Sequence, residues 1–110
     1  MSKAGAQAVI IPAAFNNVTG AAHWELLLRS RAMDAQLFTA GVCPARNEKG
    51  YIAYGHSLAC SPWGEILAEA DYAPALILVQ MDLQKVQDTR DQLPLFPARR
   101  NDLYQLNWLK

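Results

Sequence analysis

The stretch that most restricts the fold is VIIPAAFNNVTGAAHWELLLRSRAMDAQ, residues 9–36. Ala8-Val9-Ile10-Ile11 is a short continuous apolar run, the pattern of a strand covered on both faces. Pro12, which has no N–H to give to a ladder, limits how far that strand pairs. Beyond the polar loop Asn16-Asn17-Val18-Thr19-Gly20, apolar residues recur at Trp24, Leu27, Leu28, Ala32 and Ala35. That spacing predicts an amphipathic helix with Thr19 as N-cap and with Glu25, Arg29 and Ser30 facing water. Leu26 and Met33 widen the stripe, as if the helix met more than one layer. A strand, a loop and a helix in this order imply α/β architecture. The amides from Phe15 through Gly20, at a helix N-terminus, favour an anionic or carbonyl oxygen nearby, so residues 12–23 are the expected pocket.

The rest of the chain extends this pattern. Residues 36–43, QLFTAGVC, read as another buried strand ended by Pro44, and residues 45–50 as a charged surface loop. HSLACSPWGEILAEA (56–70) reads as two strands joined at Ser61-Pro62-Trp63-Gly64, and PALILVQMDL (74–83) as a further strand. A polar helix is expected from Asp82 to about Gln92, with Leu83, Val86 and Arg90 on one side, closed by Pro94 and Pro97. The tail carries Leu103, Tyr104, Leu106, Trp108 and Leu109 with no later element to cover them. The first strand begins close to Met1 with no helix before it, so the arrangement reads as truncated.

Composition narrows the function classes. Ten basic and ten acidic residues cancel, which gives no electrostatic reason to expect nucleic acid or an anionic membrane as partner. No apolar run approaches the roughly 20 residues of a membrane span, and no signal-peptide core is present at Met1–Gly5, so a cytoplasmic protein is expected. The hydrophobic share of 52% supports a packed core rather than disorder.

Few residues offer chemistry of their own. Cys43 and Cys60 lie in apolar surroundings and read as reduced, packed side chains; a nucleophilic Cys43 would need a base, and only His23 and His56 exist. Neither histidine has partners at metal-ligand spacing, so no metal and no cofactor are expected. His23, in the first turn of the helix, is the better candidate of the two for a ligand contact, with a cap or core role as the plainer alternative. Glu65 and Glu69 fall in strand and are expected to face solvent. Arg99 and Arg100 are too few for a nucleic-acid patch and suit salt bridges or an anchor for the tail.

Taken together, GAQAVIIPAAFNNVTGAAHWELLLRSRAMDAQ, CPARN, GHSLACSPWGEILAEA, MDL and RRNDLY resemble, in that order, the C-terminal half of the nitrilase (carbon–nitrogen hydrolase) superfamily, nearest its omega-amidase or Nit-type branch. The resemblance implies residues 5–110 as a partial hydrolase domain after a lead-in at 1–4. It implies the fold of a four-layer α-β-β-α sandwich, and hydrolysis of a carbon–nitrogen bond through a cysteine thioester with a glutamate base and a lysine. None of those three residues has a match here; the family's cysteine would fall shortly before Met1. What carries over is the substrate-site wall formed by Pro12, Ala13 and Phe15. Ala35 departs from the family's usual Asn after the acidic residue matched by Asp34, which leaves a local hydrogen bond in question.

Two functional expectations follow. The chain is either the C-terminal part of an omega-amidase-like enzyme acting on small dicarboxylic monoamides such as 2-oxoglutaramate and inactive alone, or a non-catalytic binding or assembly subunit. A subunit of that kind would pair with a separate N-terminal half chain or dimerise through its tail. An independent thiol enzyme using Cys43 is a third alternative. The resemblance also implies that residues 99–110 reach across a dimer interface. With one of two sheets absent, at about 25 cal/mol per Å² of lost burial, the isolated chain is expected to aggregate, oligomerise or stay partly molten.

Overall fold

The protein is described here by a computed structural model covering residues 1–105. Among the described residues four strands build one sheet in the order β1-β2-β3-β4: β1 Ala8–Pro12, β2 Phe38–Val42, β3 Leu58–Cys60 and β4 Ile66–Glu69. β1 and β2 run parallel, with Ala8 opposite Phe38 and Pro12 opposite Val42. The remaining pairs are antiparallel, and the β3–β4 register shifts at Ala59/Cys60. Helix α1, Asn17–Ala35, crosses from β1 to β2 as a parallel pair requires; helix α2 spans Gln84–Gln92.

Asn16, not Thr19, caps α1. Its extended backbone places Oδ1 where the Val18 and Thr19 amides donate to it at 2.9 and 2.8 Å. Asn16→Ala is expected to cost about 1 kcal/mol, read as a lower urea midpoint with unchanged slope. At the other end Gln36 takes a left-handed conformation, φ 48°, that rarely suits a residue with a Cβ. Its buried side chain donates to the Leu93 carbonyl at 2.5 Å, which ties the end of α1 to the end of α2.

The buried stripe of α1 is narrower than its sequence suggests. Trp24, Leu28 and Ala32 face the sheet and join Leu58, Cys60, Cys43 and Ala53 in one core. Leu26, Leu27 and Met33 are exposed and Ala35 is half-buried. The helix comes so close to β2 that a Cβ at Gly41 would lie 2.7 Å from the Trp24 ring and collide with Leu28. Thr39 reinforces the contact by donating to the Leu28 carbonyl at 3.1 Å. Arg29, expected in water, reaches across to donate to the Gly64 carbonyl in the β3–β4 turn at 2.8 Å.

Because Ile11, Thr39, Gly41, Leu58 and Cys60 sit on the α1 side, the alternation of a pleated strand turns Ile10, Ala40, Val42 and Ala59 to the opposite face. That face is open at β1: Ile10 is 71% and Val42 48% exposed. Within this chain, then, the first strand is covered on one face and not on both, because β1 is an edge strand with one bare side. Residues 74–82 form no strand among the described residues, and Leu76 and Leu78 are almost fully exposed. The run pairs with neither edge of the sheet, β1 or β4, and so has only its sequence pattern in common with a strand.

α2 begins at Gln84 rather than Asp82, whose carboxylate instead accepts the Gln84 amide at 3.0 Å. Its buried side is Val86 and Thr89, with Leu83 exposed. The lead-in at 1–4 contains a 3-10 turn, Ser2–Ala4, whose Ser2 hydroxyl donates to Ala35 and accepts from Arg90. In the tail Arg99 lies over Phe96, Arg100 pairs with Asp102, and Leu103 and Tyr104 are exposed. Leu106, Trp108 and Leu109 lie outside the described residues. No helix among the described residues is long and apolar enough to cross a membrane.

Candidate substrate wall at the end of β1

Pro12 ends β1 exposed, while Ala13 and Phe15 are half-buried in the loop that leads into α1. The Ala13 amide continues the β1–β2 ladder by donating to the Val42 carbonyl at 3.0 Å. Phe15 leans on the buried Trp24 ring, with centroids 5.1 Å apart and planes tilted by 53°, so one side of Phe15 is committed to packing. Trp24 is itself fixed by donating its indole N–H to the His56 carbonyl at 2.7 Å. The structure thus brings all three residues read as a wall onto one strand end and loop, with the orientation of Phe15 set from the core.

Of the amides expected to be open at this helix start, those of Val18, Thr19 and Gly20 have acceptors within the chain. Asn16 Oδ1 accepts from Val18 and Thr19, and the Gly20 amide goes to the Asn16 carbonyl at 2.7 Å. An oxygen supplied by the chain itself fills the place where an anion was expected. His23 lies exposed on α1, outside this wall, and so has neither the cap nor the core role weighed for it.

A second segment holds the wall from behind. Residues 51–54 run beside the loop: the Tyr54 amide donates to the Phe15 carbonyl at 2.7 Å, Asn16 and Ala53 form an antiparallel bridge, and the Tyr51 hydroxyl donates to the Ala14 carbonyl at 3.1 Å. Sequence reading placed nothing functional between Pro44 and Gly55. The two tyrosines at 51 and 54, so close together ahead of Gly55, were the available signal.

His56 sits between two carboxylates, with Nδ1 3.3 Å from Glu69 and Nε2 3.8 Å from Asp71, and its ring stacks on Tyr54. Glu65 accepts from the Ser61 hydroxyl at 3.0 Å. Both glutamates are exposed, as expected, and each also has a partner. Among the described residues no three His, Cys, Asp or Glu side chains gather as a metal site requires.

Neither cysteine is placed as a nucleophile. Cys43 is buried in the core, its backbone N–H and C=O both bonded to the Ser57 hydroxyl. Burial pushes the Cys60 thiol above its ordinary value, offset in part by a hydrogen bond with Thr39. A raised thiol keeps its full stability contribution at neutral pH and loses it as pH rises past the ordinary thiol range. Both cysteines are expected to resist alkylation near pH 8 and to react at once in denaturant, read by mass spectrometry.

The family model for carbon-nitrogen hydrolases matches residues 1–91. The chain belongs to the carbon–nitrogen hydrolase family. Within this family it is 47% identical over 107 residues to the omega-amidase NIT2 of Homo sapiens, a match covering 96% of this chain and 39% of that protein. It is also 47% identical over 110 residues to nitrilase homolog 2 of Dictyostelium discoideum, covering 99% of this chain and 34% of that one. Among solved structures, Nit3 of Saccharomyces cerevisiae, a member of branch 10 of the nitrilase superfamily, superposes with a TM-score of 0.85 at 44% identity, covering 90% of this chain and 37% of that one. The chain therefore spans well under half the length of the hydrolases it matches.

Proposed function

We propose that this chain is the C-terminal part of an omega-amidase-like carbon–nitrogen hydrolase that deaminates small dicarboxylic monoamides such as 2-oxoglutaramate. The observation that carries the reading is the 47% identity to an omega-amidase over 96% of this chain, against 39% of that relative's length. In the whole enzyme, a cysteine supplied outside this chain attacks the amide carbon and expels ammonia, and water then hydrolyses the thioester. A glutamate moves the protons and a lysine steadies the oxyanion. The contribution of this chain is steric: Pro12, Ala13 and Phe15 bound the pocket, with Phe15 held by Trp24. The bare face carrying Ile10 and Val42 suits the inner face of a four-layer sandwich awaiting its second sheet. The segment from Arg99 onward would reach a second copy of the enzyme.

Ammonia release from 2-oxoglutaramate tests this. The chain alone is expected to give none. The chain co-expressed with the N-terminal portion of a matched omega-amidase is expected to turn over. Clear turnover by the chain alone overturns the reading. A stable assembly with no turnover favours a non-catalytic binding subunit instead.

A further inference from the structure

Arg46 lies in the loop after β2, half-buried, and all its acceptors are neutral. Nη2 donates to the Asn17 side chain at 3.0 Å and to the Tyr54 carbonyl at 3.4 Å, and Nε donates to the Ala53 carbonyl at 3.4 Å. Its guanidinium carbon lies 4.5 Å from the centre of the Tyr72 ring, and its own amide donates to the Tyr72 carbonyl at 2.8 Å. Four pieces of chain meet on this one side chain: the start of α1, the 51–54 segment, its own loop and Tyr72. A guanidinium supplies several donors in one rigid plane, which a lysine cannot do, and a charged donor strengthens each bond to a neutral carbonyl.

The carbonyls it holds belong to Ala53 and Tyr54, the two residues that hold the substrate wall. Tyr54 gives its amide to Phe15, and Ala53 bridges Asn16. We propose that Arg46 is a positioning residue for the substrate wall, acting through the 51–54 segment to set where Phe15 stands. The coupling rests on the geometry; its consequence for catalysis rests on the amidase reading above. An arginine kept for charge alone would be replaceable by lysine, and one kept for general stability would loosen the core as much as the wall.

The test uses Arg46→Lys and Arg46→Met in the assembly of this chain with an omega-amidase N-terminal portion, with amide hydrogen exchange and steady-state kinetics as readouts. In both variants exchange at the Tyr54 amide is expected to rise at least about tenfold, with the amides of Leu28 and Ala32 unchanged. The kcat/KM for 2-oxoglutaramate is expected to fall roughly tenfold, mostly through KM, with lysine giving no rescue. Unchanged Tyr54 exchange, equal acceleration at Leu28, rescue by lysine, or faster Tyr54 exchange with unaltered kcat/KM would each overturn the proposal. Faster exchange confined to the wall in an assembly whose parent form shows no turnover supports the coupling and overturns the amidase reading instead.

Discussion

Trp24→Ala is expected to remove about 3–5 kcal/mol of stability. Only 2% of Trp24 is exposed, and its side chain does three things at once. It fills the space between α1 and β2 over Gly41, supports the Phe15 ring, and hands its indole N–H to the His56 carbonyl. Alanine leaves a cavity where the rings met and an acceptor without its donor. With net stabilities of small domains near 5–15 kcal/mol, such a loss consumes much of the total. Urea denaturation of the assembly with an omega-amidase N-terminal portion, followed by far-ultraviolet circular dichroism, checks it; a midpoint close to that of the parent assembly would contradict the packing described.

Gly55→Ala is expected to cost roughly 2–4 kcal/mol, from two additive causes. The residue sits at φ 79°, where a Cβ is strained, and that Cβ would stand 2.5 Å from the Tyr72 Cα, which is backbone and cannot rotate away. His56, the next residue, also has positive φ and is held there by Glu69, Asp71 and the Trp24 bond. Relief must therefore travel into Tyr72 or His56. The same denaturation experiment reads the loss, and Gly50→Ala, which meets nothing within 4 Å, is the control expected to lie within about 0.5 kcal/mol of the parent.

Much of the strand–helix–strand unit was legible because its signals are local. The apolar run at 8–11, the proline at 12 and the stripe at Trp24, Leu28 and Ala32 needed no distant partner to be read, nor did the Ser61–Gly64 turn. The readings that failed depend on what lies across space. Residues 74–83 look like a strand, but a strand exists only where an edge accepts it. Leu26, Leu27 and Met33 look like core, but which apolar residues are covered depends on the layers present. Asn16 displaced Thr19 because the cap depends on where the chain leaves its extended conformation, and a side-chain oxygen that accepts a hydrogen bond at either position satisfies the sequence rule. At the candidate site, Pro12, Ala13 and Phe15 came from the family resemblance, and the structure places them together on one strand end and its loop. Arg46, Tyr51 and Tyr54 were not legible, since their roles come from segments brought alongside by the β2–β3 connection.

The left-handed turn at Gln36 has a consequence for the order in which the structure can become complete. A non-glycine residue in that conformation carries an intrinsic penalty of about 1–2 kcal/mol, and one of the bonds that offset it runs to Leu93, a separation of 57 residues. As the chain is synthesised, α1 and the first two strands emerge long before that acceptor does. The local cap bonds, from the Gln36 amide to the Met33 carbonyl at 3.2 Å and from the Leu37 amide to the Ala32 carbonyl at 3.1 Å, can form as soon as α1 does, but the side-chain tie that joins the end of α1 to the end of α2 waits for Leu93.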